Sequence, residues 1–210
     1  MSKKLKIDIV SDVVCPWCAI GYKRLEKAID ELGIQDQVEI EWQPFELNPG
    51  MPPEGQNITE KYGSTIEQQQ ASQQNMTEIG EELGFKFDYF DDMRMSNTFD
   101  AHVLLEYAKD FGKQTELKLR LMTSFFGERK DVSDREVLKQ ALLEVGLNAE
   151  EALSKLDNEE ARYKVRNKQG QWKNMGVNSV PTIVFNMKSA ITGAQPVDSF
   201  KQVLSELIAE

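Results

Sequence analysis

Residues 11–26, SDVVCPWCAIGYKRLE, contain two cysteines at the point where one hydrophobic pattern gives way to another. Before the cysteines, Leu5 to Val14 alternates apolar and polar residues and is rich in Ile and Val, which predicts a strand. After them, apolar residues recur at helical spacing until Gly33. Pro16 suits the first helical turn, because its missing N–H would have no helical partner there. The sequence therefore predicts a C-x-x-C pair at a strand-to-helix junction.

The rest of the chain is a helical block between two regions of strand. Gln37 to Trp42 (QVEIEW) alternates like a second strand, and prolines follow it. The segment from about residue 58 to 157 has helical periodicity. Pro181 to Phe185 and Ser189 to Gly193 have the pattern of strands, and Val197 to Ile208 that of an amphipathic helix. This order predicts an α/β fold with a mixed sheet and a large all-α insertion.

We expect a discontinuous domain of residues 1–49 and 158–210 and a helical insertion of residues 50–157. Helices should start where Ser, Thr, Asn or Asp precedes an acidic residue by three positions. The predicted capping pairs are Ser64 with Glu67, Ser133 with Glu136, Asn148 with Glu151 and Asp157 with Glu160, with a further cap at Asn97 or Thr98.

Composition excludes several classes of function. The 210 residues include 25 Lys and Arg against 35 Asp and Glu, a net charge of −10, and the basic residues form no stripe that would bind nucleic acid. No apolar run reaches the roughly 20 residues that a membrane helix needs. Asp8 and Asp12 interrupt the apolar stretch near the N-terminus, which argues against a signal peptide. We therefore expect a cytoplasmic protein that binds neither nucleic acid nor membranes.

The C-x-x-C pair indicates redox chemistry. The first sulfur, of Cys15, lies where unpaired N–H groups and the helix dipole favour an anion, so we expect it to be exposed and its thiol pKa to be low. Cys18, one turn on, should face inward and attack a mixed disulfide at Cys15. Trp17 between them should be an exposed contact for substrate.

Three other interpretations of the cysteines stay open. They could be half of a zinc site, but His102 is the only other soft ligand, so we predict no metal site. They could be inert buried thiols. They could also form a static disulfide, which a reducing compartment disfavours.

Six stretches spread along the chain resemble one family. They are SDVVCPWCAIGYKRLE, FELNP (45–49), NTFDAHVLLEYA (97–108), DVSDREVLKQAL (131–142), GVNSVPTIVF (176–185) and AITGAQP (190–196). In this order they resemble the DsbA-like branch of the thioredoxin superfamily, and within it the cytosolic FrnE-type dithiol–disulfide oxidoreductases. The resemblance implies a thioredoxin fold with a helical insertion.

The resemblance also implies roles for individual residues. Cys15 matches the nucleophile, Cys18 the resolving cysteine and Pro181 the cis-proline of the family. Pro16 and Trp17 match the variable dipeptide that helps set the redox potential, and the backbone of Val180 matches the position that pairs with an extended substrate.

The implied activity is thiol–disulfide exchange or isomerisation, without a cofactor beyond the redox-active pair. Partners would be proteins or small molecules that carry thiols or disulfides, with glutathione as one candidate thiol. A glutathione-dependent transferase or isomerase is an alternative, although such relatives have serine at the position of Cys15. A peptide-binding, chaperone-like module with an incidental dithiol is another.

Two further features allow more than one role. His102 either packs and hydrogen-bonds or tunes Cys15, because the insertion of the family covers the active site. Asp12, three residues before Cys15, is either a loop or cap residue or a proton relay. Apolar residues of the insertion either form a substrate groove above the dithiol or pack in the helical core: Phe85, Phe87, Tyr89, Phe90, Met93 and Met95.

Overall fold

The fold is built around a four-stranded sheet. The computed structural model describes residues 4–58, 61 and 63–209. The sheet strands are β1 (Leu5–Ser11), β2 (Val38–Pro44), β5 (Thr182–Phe185) and β6 (Ser189–Thr192), in the order β2-β1-β5-β6. β1 is parallel to β2 and antiparallel to β5, and β5 is antiparallel to β6. A separate two-stranded ribbon joins β3 (Gln56–Asn57) to β4 (Arg94–Met95).

The described residues form eight α-helices around these strands. They are α1 (Pro16–Leu32), α2 (Ile66–Glu82), α3 (Phe99–Lys109), α4 (Gln114–Gly127), α5 (Arg135–Glu144), α6 (Ala149–Ser154), α7 (Glu159–Asn174) and α8 (Val197–Ile208). Short 3-10 helices follow α1 and α6, at Gln35–Gln37 and Lys155–Asp157. None of the helices in this part of the chain combines the length and hydropathy needed to cross a bilayer.

Helices cover both faces of the sheet, which explains why β1 is almost continuously buried although its sequence alternates. On one face, Ile7 and Ile9 pack with side chains of α1 and α8, among them Leu25 and Phe200. On the other face, Val10 packs against Trp172 of α7. The predicted mixed sheet is confirmed.

The insertion shares its apolar core with the start of α1. Cys15, Cys18 and Ile20 belong to the same buried cluster as Leu104 of α3 and Leu121 of α4. The dithiol thus lies between the sheet and the insertion. The division into residues 1–49 with 158–210 and residues 50–157 stays a prediction.

Buried ion pairs also join the sheet to the helices. Glu41 on β2 lies 2.8 Å from Lys6 Nζ on β1, 2.6 Å from Lys109 Nζ on α3 and 3.4 Å from Lys168 Nζ on α7. Burial by itself would raise the pKa of Glu41, but the bonds from Lys109 and Lys6 outweigh it and lower the pKa to about 2. The carboxylate therefore stays ionised at the junction of four elements: β2, β1, α3 and α7.

Several predicted boundaries move by one to three residues. β1 ends at Ser11 rather than Val14, because the Asp12 carboxylate accepts the N–H of Val13 and turns the chain. The β3–β4 ribbon was not predicted, since each strand has only two residues.

The capping predictions fare unevenly. The pair Asn148 with Glu151 is confirmed, and Thr98 is the N-cap residue of α3, although its side chain makes no capping bond. The caps predicted at Ser64, Ser133 and Asp157 are wrong by one residue. The capping side chains there belong to Thr65, Asp134 and Asn158.

Candidate active site

The C-x-x-C pair lies in the first turn of α1, where β1 ends. Cys15 is the N-cap residue and has extended backbone angles (φ −96°, ψ 111°). Its carbonyl accepts the N–H of Cys18 at 3.1 Å and that of Ala19 at 3.4 Å. Pro16 occupies the first turn, as the sequence predicts. The helix therefore begins at the pair and places both sulfurs close to its N-terminus.

Both cysteines are free thiols, and both are buried. Cys15 is 3% exposed and Cys18 is fully buried. The expectation that Cys15 is exposed is therefore wrong, because the insertion and the loop before β5 close over it. Trp17, by contrast, is 40% exposed, as expected.

The two thiols differ in how readily they ionise. The hydrogen bond that Cys15 donates to Cys18, followed by burial, raises the pKa of Cys15 well above its ordinary value. At Cys18, burial opposes ionisation most strongly, but bonds from Cys15 and Ser11 and the charge of Lys118 lower the pKa overall. The expected low pKa of Cys15 is wrong: a helix dipole contributes only about 0.3–1 kcal/mol, which the neighbouring thiol and burial outweigh.

Asp12 connects three segments beneath the dithiol. Its Oδ1 accepts the N–H of Val13 at 2.8 Å, and its Oδ2 accepts that of Leu47 at 2.8 Å. Nε2 of His102, on α3, lies 3.2 Å from Oδ1. Since a carboxylate only accepts, this bond requires the proton on Nε2. Burial would raise the pKa of Asp12, but the bond to His102 leads the interactions that lower it overall. That His102 also tunes Cys15 stays a prediction.

The sequence did not identify Lys118, a lysine of α4 that is 1% exposed. Its Nζ lies 3.4 Å from the Ser11 carbonyl oxygen and 5.2 Å from the ring centre of Trp42. Burial lowers its pKa to about 8, against the attraction of Cys18 and Asp12. One sequence feature could have identified it: Lys118 is in phase with the apolar positions Leu121, Met122 and Phe125.

The loop before β5 approaches the dithiol from the other side. The Val180–Pro181 peptide bond is cis. The Val180 carbonyl oxygen lies 3.9 Å from Cys15 Sγ. A methyl group on Gly21 of α1 would lie 3.0 Å from Cγ of Pro181, so the proline approaches α1 because residue 21 has no side chain. Sequence positions 165 residues apart thus form one site.

A cavity of about 470 Å³ opens in front of Cys15. Its apolar floor includes Met76, Tyr89, Met93, Met95 and Phe126, and side chains of α2 line one edge. Of the six aromatic and methionine residues from Phe85 to Met95, Phe85, Phe87 and Phe90 do not line it. Phe85 and Phe87 pack with Phe126, and Phe90 lines a different cavity with Arg129. Met93 and Met95 are both buried in the core and part of the cavity wall. Each of the two sequence interpretations therefore holds for part of this segment.

The described residues contain no cluster of three or more His, Cys, Asp or Glu arranged to hold a metal ion. His102 is engaged with Asp12 and does not complete a site with the cysteines.

A model of the family described as "DSBA-like thioredoxin domain" matches residues 6–205. The chain belongs to this family. A solved structure of the probable DsbA oxidoreductase SCO1869 from Streptomyces coelicolor is 32% identical, with a TM-score of 0.91, over 98% of this chain and 91% of that one. The uncharacterized protein YwbO of Bacillus subtilis (strain 168) is 28% identical over 95% of this chain and 96% of that protein.

A more distant structure supports the fold alone. The cytosolic disulfide reductase DsbM from Pseudomonas aeruginosa, solved with GSH, is 15% identical, with a TM-score of 0.68, over 98% of this chain and 100% of that one. The predicted thioredoxin fold of the DsbA-like type is confirmed.

Proposed function

We propose that this DsbA-like protein is a cytoplasmic thiol–disulfide oxidoreductase of the FrnE type, with Cys15 as the nucleophile and Cys18 as the resolving thiol. One observation carries the proposal: only Cys15 of the two lines the cavity, while Cys18 lies beneath it with Lys118 and Asp12. Substrates are disulfide- or thiol-bearing molecules, and the exchange requires no cofactor beyond the dithiol itself.

The first step is the transfer of a proton between the two thiols. In the reduced pair ionisation is favoured at Cys18 over Cys15, and the Cys18 sulfur accepts the S–H of Cys15. When a substrate disulfide enters, the proton moves from Cys15 to Cys18, and the Cys15 thiolate attacks one sulfur. A mixed disulfide forms, and the other substrate sulfur leaves as a thiolate, which takes up a proton from solvent.

The second step requires Cys18 to lose that proton. Lys118 is the charged group that acts on it, and its positive charge stabilises the new Cys18 thiolate, while the Ser11 hydroxyl and the backbone of Asp12 hydrogen-bond to the sulfur. Cys18 then attacks Cys15, so that an intramolecular disulfide forms and the substrate leaves with its second sulfur reduced. In total, two electrons pass from the dithiol to the substrate, whose two thiols take up one proton released by the dithiol and one from solvent. The reverse sequence oxidises a substrate dithiol.

The loop before β5 would hold the substrate. The Val180 N–H makes no hydrogen bond to another described residue, and its carbonyl faces Cys15. Val180 and Pro181 would therefore align an extended substrate, while Pro16 and Trp17 contact it from α1.

A trapping experiment tests these roles. We expect Cys15→Ser to abolish reduction of insulin disulfides and Cys18→Ser to accumulate mixed disulfides on Cys15, which peptide mass mapping locates. Mixed disulfides on Cys18 in the Cys15→Ser protein, formed as fast, would reverse the assignment.

The same variants separate the alternatives. A glutathione-dependent transferase would keep its conjugating activity in the Cys18→Ser protein. A binding module would keep peptide affinity in both variants without any turnover. We expect neither result, because both sulfurs lie in the buried network that the exchange reaction uses.

A further inference from the structure

Two arginines of α7 contact one aromatic ring at the start of α3. The guanidinium carbon of Arg162 lies 4.6 Å from the ring centre of Phe99, and that of Arg166 lies 4.1 Å from it. Phe99 is 4% exposed, and its N–H donates to Asn97 Oδ1 at 3.0 Å, so the ring is a fixed platform. A guanidinium that contacts a ring through its face keeps its N–H edges free for hydrogen bonds.

The two arginines differ in their partners. Arg162 donates to Asp100 Oδ1 at 2.8 Å and to the Leu156 carbonyl oxygen at 2.9 Å. Arg166 makes no hydrogen bond or ion pair with another described residue. Its guanidinium is therefore a cation that rests on the ring with its N–H donors open.

Both arginines line a cavity of about 310 Å³, together with Glu46, Pro53 and Ser133 among other residues. No described residue lines both this cavity and the one in front of Cys15. The Glu46 carboxylate accepts a hydrogen bond from the neutral side chain of Gln169 at 3.1 Å and forms no ion pair among the described residues. The wall of one cavity thus carries a cation and an anion that do not neutralise each other.

A second charged cavity, of about 220 Å³, lacks this feature. Its cations all have partners among the described residues: Arg94 donates to backbone carbonyl oxygens, Arg129 pairs with Asp88 and Lys130 pairs with Glu128. An arginine with open donors is therefore particular to the cavity beside Phe99.

The two unpaired charges indicate the chemistry of a ligand. A carboxylate matches the fork of N–H donors on a guanidinium, and an ammonium group donates to a carboxylate. A simple anion such as phosphate would bind the arginines but would be repelled by Glu46. The volume lies at the lower end of the range of about 300–1,000 Å³ that is usual for ligand sites, which suits a single amino acid.

We propose that this cavity binds a free α-amino acid with an apolar side chain, whose carboxylate is held by Arg166 and whose ammonium group is held by Glu46. Arg162 adds a second guanidinium beside the carboxylate, and Pro53 and Phe99 provide apolar surface for the side chain. The site is separate from the proposed thiol–disulfide exchange and does not depend on it.

Titrations of the whole protein with matched small molecules test this assignment. L-Leucine carries both charges, N-acetyl-L-leucine carries only the carboxylate, and L-leucinamide carries only the ammonium group. Inorganic phosphate serves as the simple anion. Two-dimensional nitrogen–proton NMR at neutral pH measures each Kd from the shifts of assigned backbone amides and shows where the probe binds.

We expect leucine to bind with a Kd of about 0.1–1 mM, and both derivatives and phosphate to bind at least about tenfold more weakly. The shifts should centre on Phe99 and Arg166. Shifts centred on the cavity of Cys15, equal affinity for leucine and a derivative, or tighter binding of phosphate would overturn the proposal. A lack of saturable shifts with leucine up to about 10 mM would also overturn it.

Single substitutions assign the two charges. Arg166→Gln and Glu46→Gln should each weaken leucine binding about tenfold. Arg166→Gln should leave the affinity for leucinamide unchanged, and Glu46→Gln should not weaken binding of N-acetylleucine. Because Arg166 is exposed and has no described polar partner, its replacement should leave the midpoint of thermal unfolding unchanged.

Lys173→Gln is the matched control, since it removes the same charge from an exposed position of α7 that does not line the cavity. We expect it to leave leucine binding unchanged. Equal weakening by Lys173→Gln and Arg166→Gln would show that overall charge, rather than the cavity, attracts the probe, and would overturn the site.

Discussion

The side of the dithiol that faces the protein interior and the side that faces the cavity differ in whether charged residues surround them. On the inner side, Asp12, His102 and Lys118 are each at most 2% exposed, yet all three are polar or charged. On the outer side, the described wall of the cavity is uncharged, although it opens to solvent. This is the reverse of the usual arrangement, in which charged groups face water and apolar groups face the interior.

The difference separates two functions of one site. Buried charges act strongly on neighbouring thiols, because little water screens them, and so they determine where the charge of the dithiol resides. The described outer wall adds no charged group to that balance. Changes on the inner side should therefore alter stability and thiol ionisation, and changes on the outer side should alter substrate choice.

Removing the carboxylate on the inner side should have the largest effect. Asp12→Ala leaves the N–H groups of Val13 and Leu47 and the Nε2–H of His102 without their acceptor. We expect a loss of about 3–5 kcal/mol in the free energy of unfolding, measured with urea.

Asp8→Ala is the control for this loss. Asp8, on β1, is likewise a buried carboxylate, but its side chain accepts a single hydrogen bond, from Gln43 at 2.7 Å, where Asp12 accepts three. We expect it to lose about 1–2 kcal/mol. Equal losses from the two variants would mean that Asp12 has no special connecting role.

Replacing the buried Lys118 should increase the free energy of unfolding rather than reduce it. The pKa of Lys118 falls from 10.5 to about 8 in the folded protein, a difference of about 3 kcal/mol. Below pH 8 the folded protein bears the whole cost of the buried charge. Between about pH 8 and 10.5 the folded protein has released the proton and the unfolded chain has not, so stability rises with pH. We expect Lys118→Met to be more stable at pH 7 by up to about 3 kcal/mol, with no gain at pH 10.5.

The gain in stability should be accompanied by a loss of thiolate. Without the Lys118 charge, the dithiol should ionise at higher pH, and alkylation by iodoacetamide at pH 7 should slow about tenfold. Lys113→Met, which removes an exposed lysine just before α4, should change neither quantity. If the Lys118→Met protein is more stable but is alkylated at the rate of the unaltered protein, Lys118 does not promote ionisation of the dithiol.

A buried charge away from the dithiol tests whether position matters. Glu41 pairs in the sheet with Asp8, not with the end of β1 that leads to Cys15. We expect Glu41→Gln to lose about 2 kcal/mol at neutral pH and to leave the alkylation rate unchanged.

The pH dependence of this variant has a defined direction. Because the pKa of Glu41 falls from 4.5 to about 2 on folding, its contribution is complete above about pH 4.5 and disappears as the pH falls to 2. The difference between the two proteins should shrink over that range in acid unfolding. A constant difference would show that Glu41 stabilises the fold by packing alone.

A change on the outer side should have the smallest effect on stability. Trp17→Ala removes a partly exposed side chain at the mouth of the cavity, so we expect a loss below about 1 kcal/mol. Exchange with peptide disulfides should fall about fivefold, while alkylation by iodoacetamide stays the same. Tyr163→Ala is the control. Tyr163, on α7, is 71% exposed and does not line the cavity, so its replacement should change neither rate. Parallel losses in both assays would place Trp17 among the groups that tune the thiol.

The fold was predictable from the sequence because its determinants are local. The periodicity of Val197 to Ile208 gives the bounds of α8 without error. Helix starts were less certain, since two adjacent residues could often cap the same helix. Ser64 and Thr65 are one such pair, and the fold uses the second. The sequence pattern does not distinguish them, because the choice depends on where the preceding chain enters.

The site was predictable only where a motif marks it. The spacing of the cysteines placed them in the first turn of α1, but their ionisation depends on burial and on side chains that come from the insertion. Lys118 was missed because a lysine on a helix is ordinarily solvated. The prediction of a low pKa for Cys15 was wrong because it considered only the helix N-terminus. The hydrogen bond to the neighbouring Cys18 thiol raises the pKa of Cys15 instead.

The pairing of β1 with β5 also has a consequence for the order of synthesis. Ile9 pairs with Ile183, so β1 and β2 leave the ribosome well before the strand that completes the sheet. At about 5–20 residues per second, the interval is on the order of 10–30 s. Throughout it, one edge of β1 has no partner and can pair with another chain. The nascent protein thus depends on early packing of α1 and the insertion, or on a chaperone, to keep this edge from aggregating.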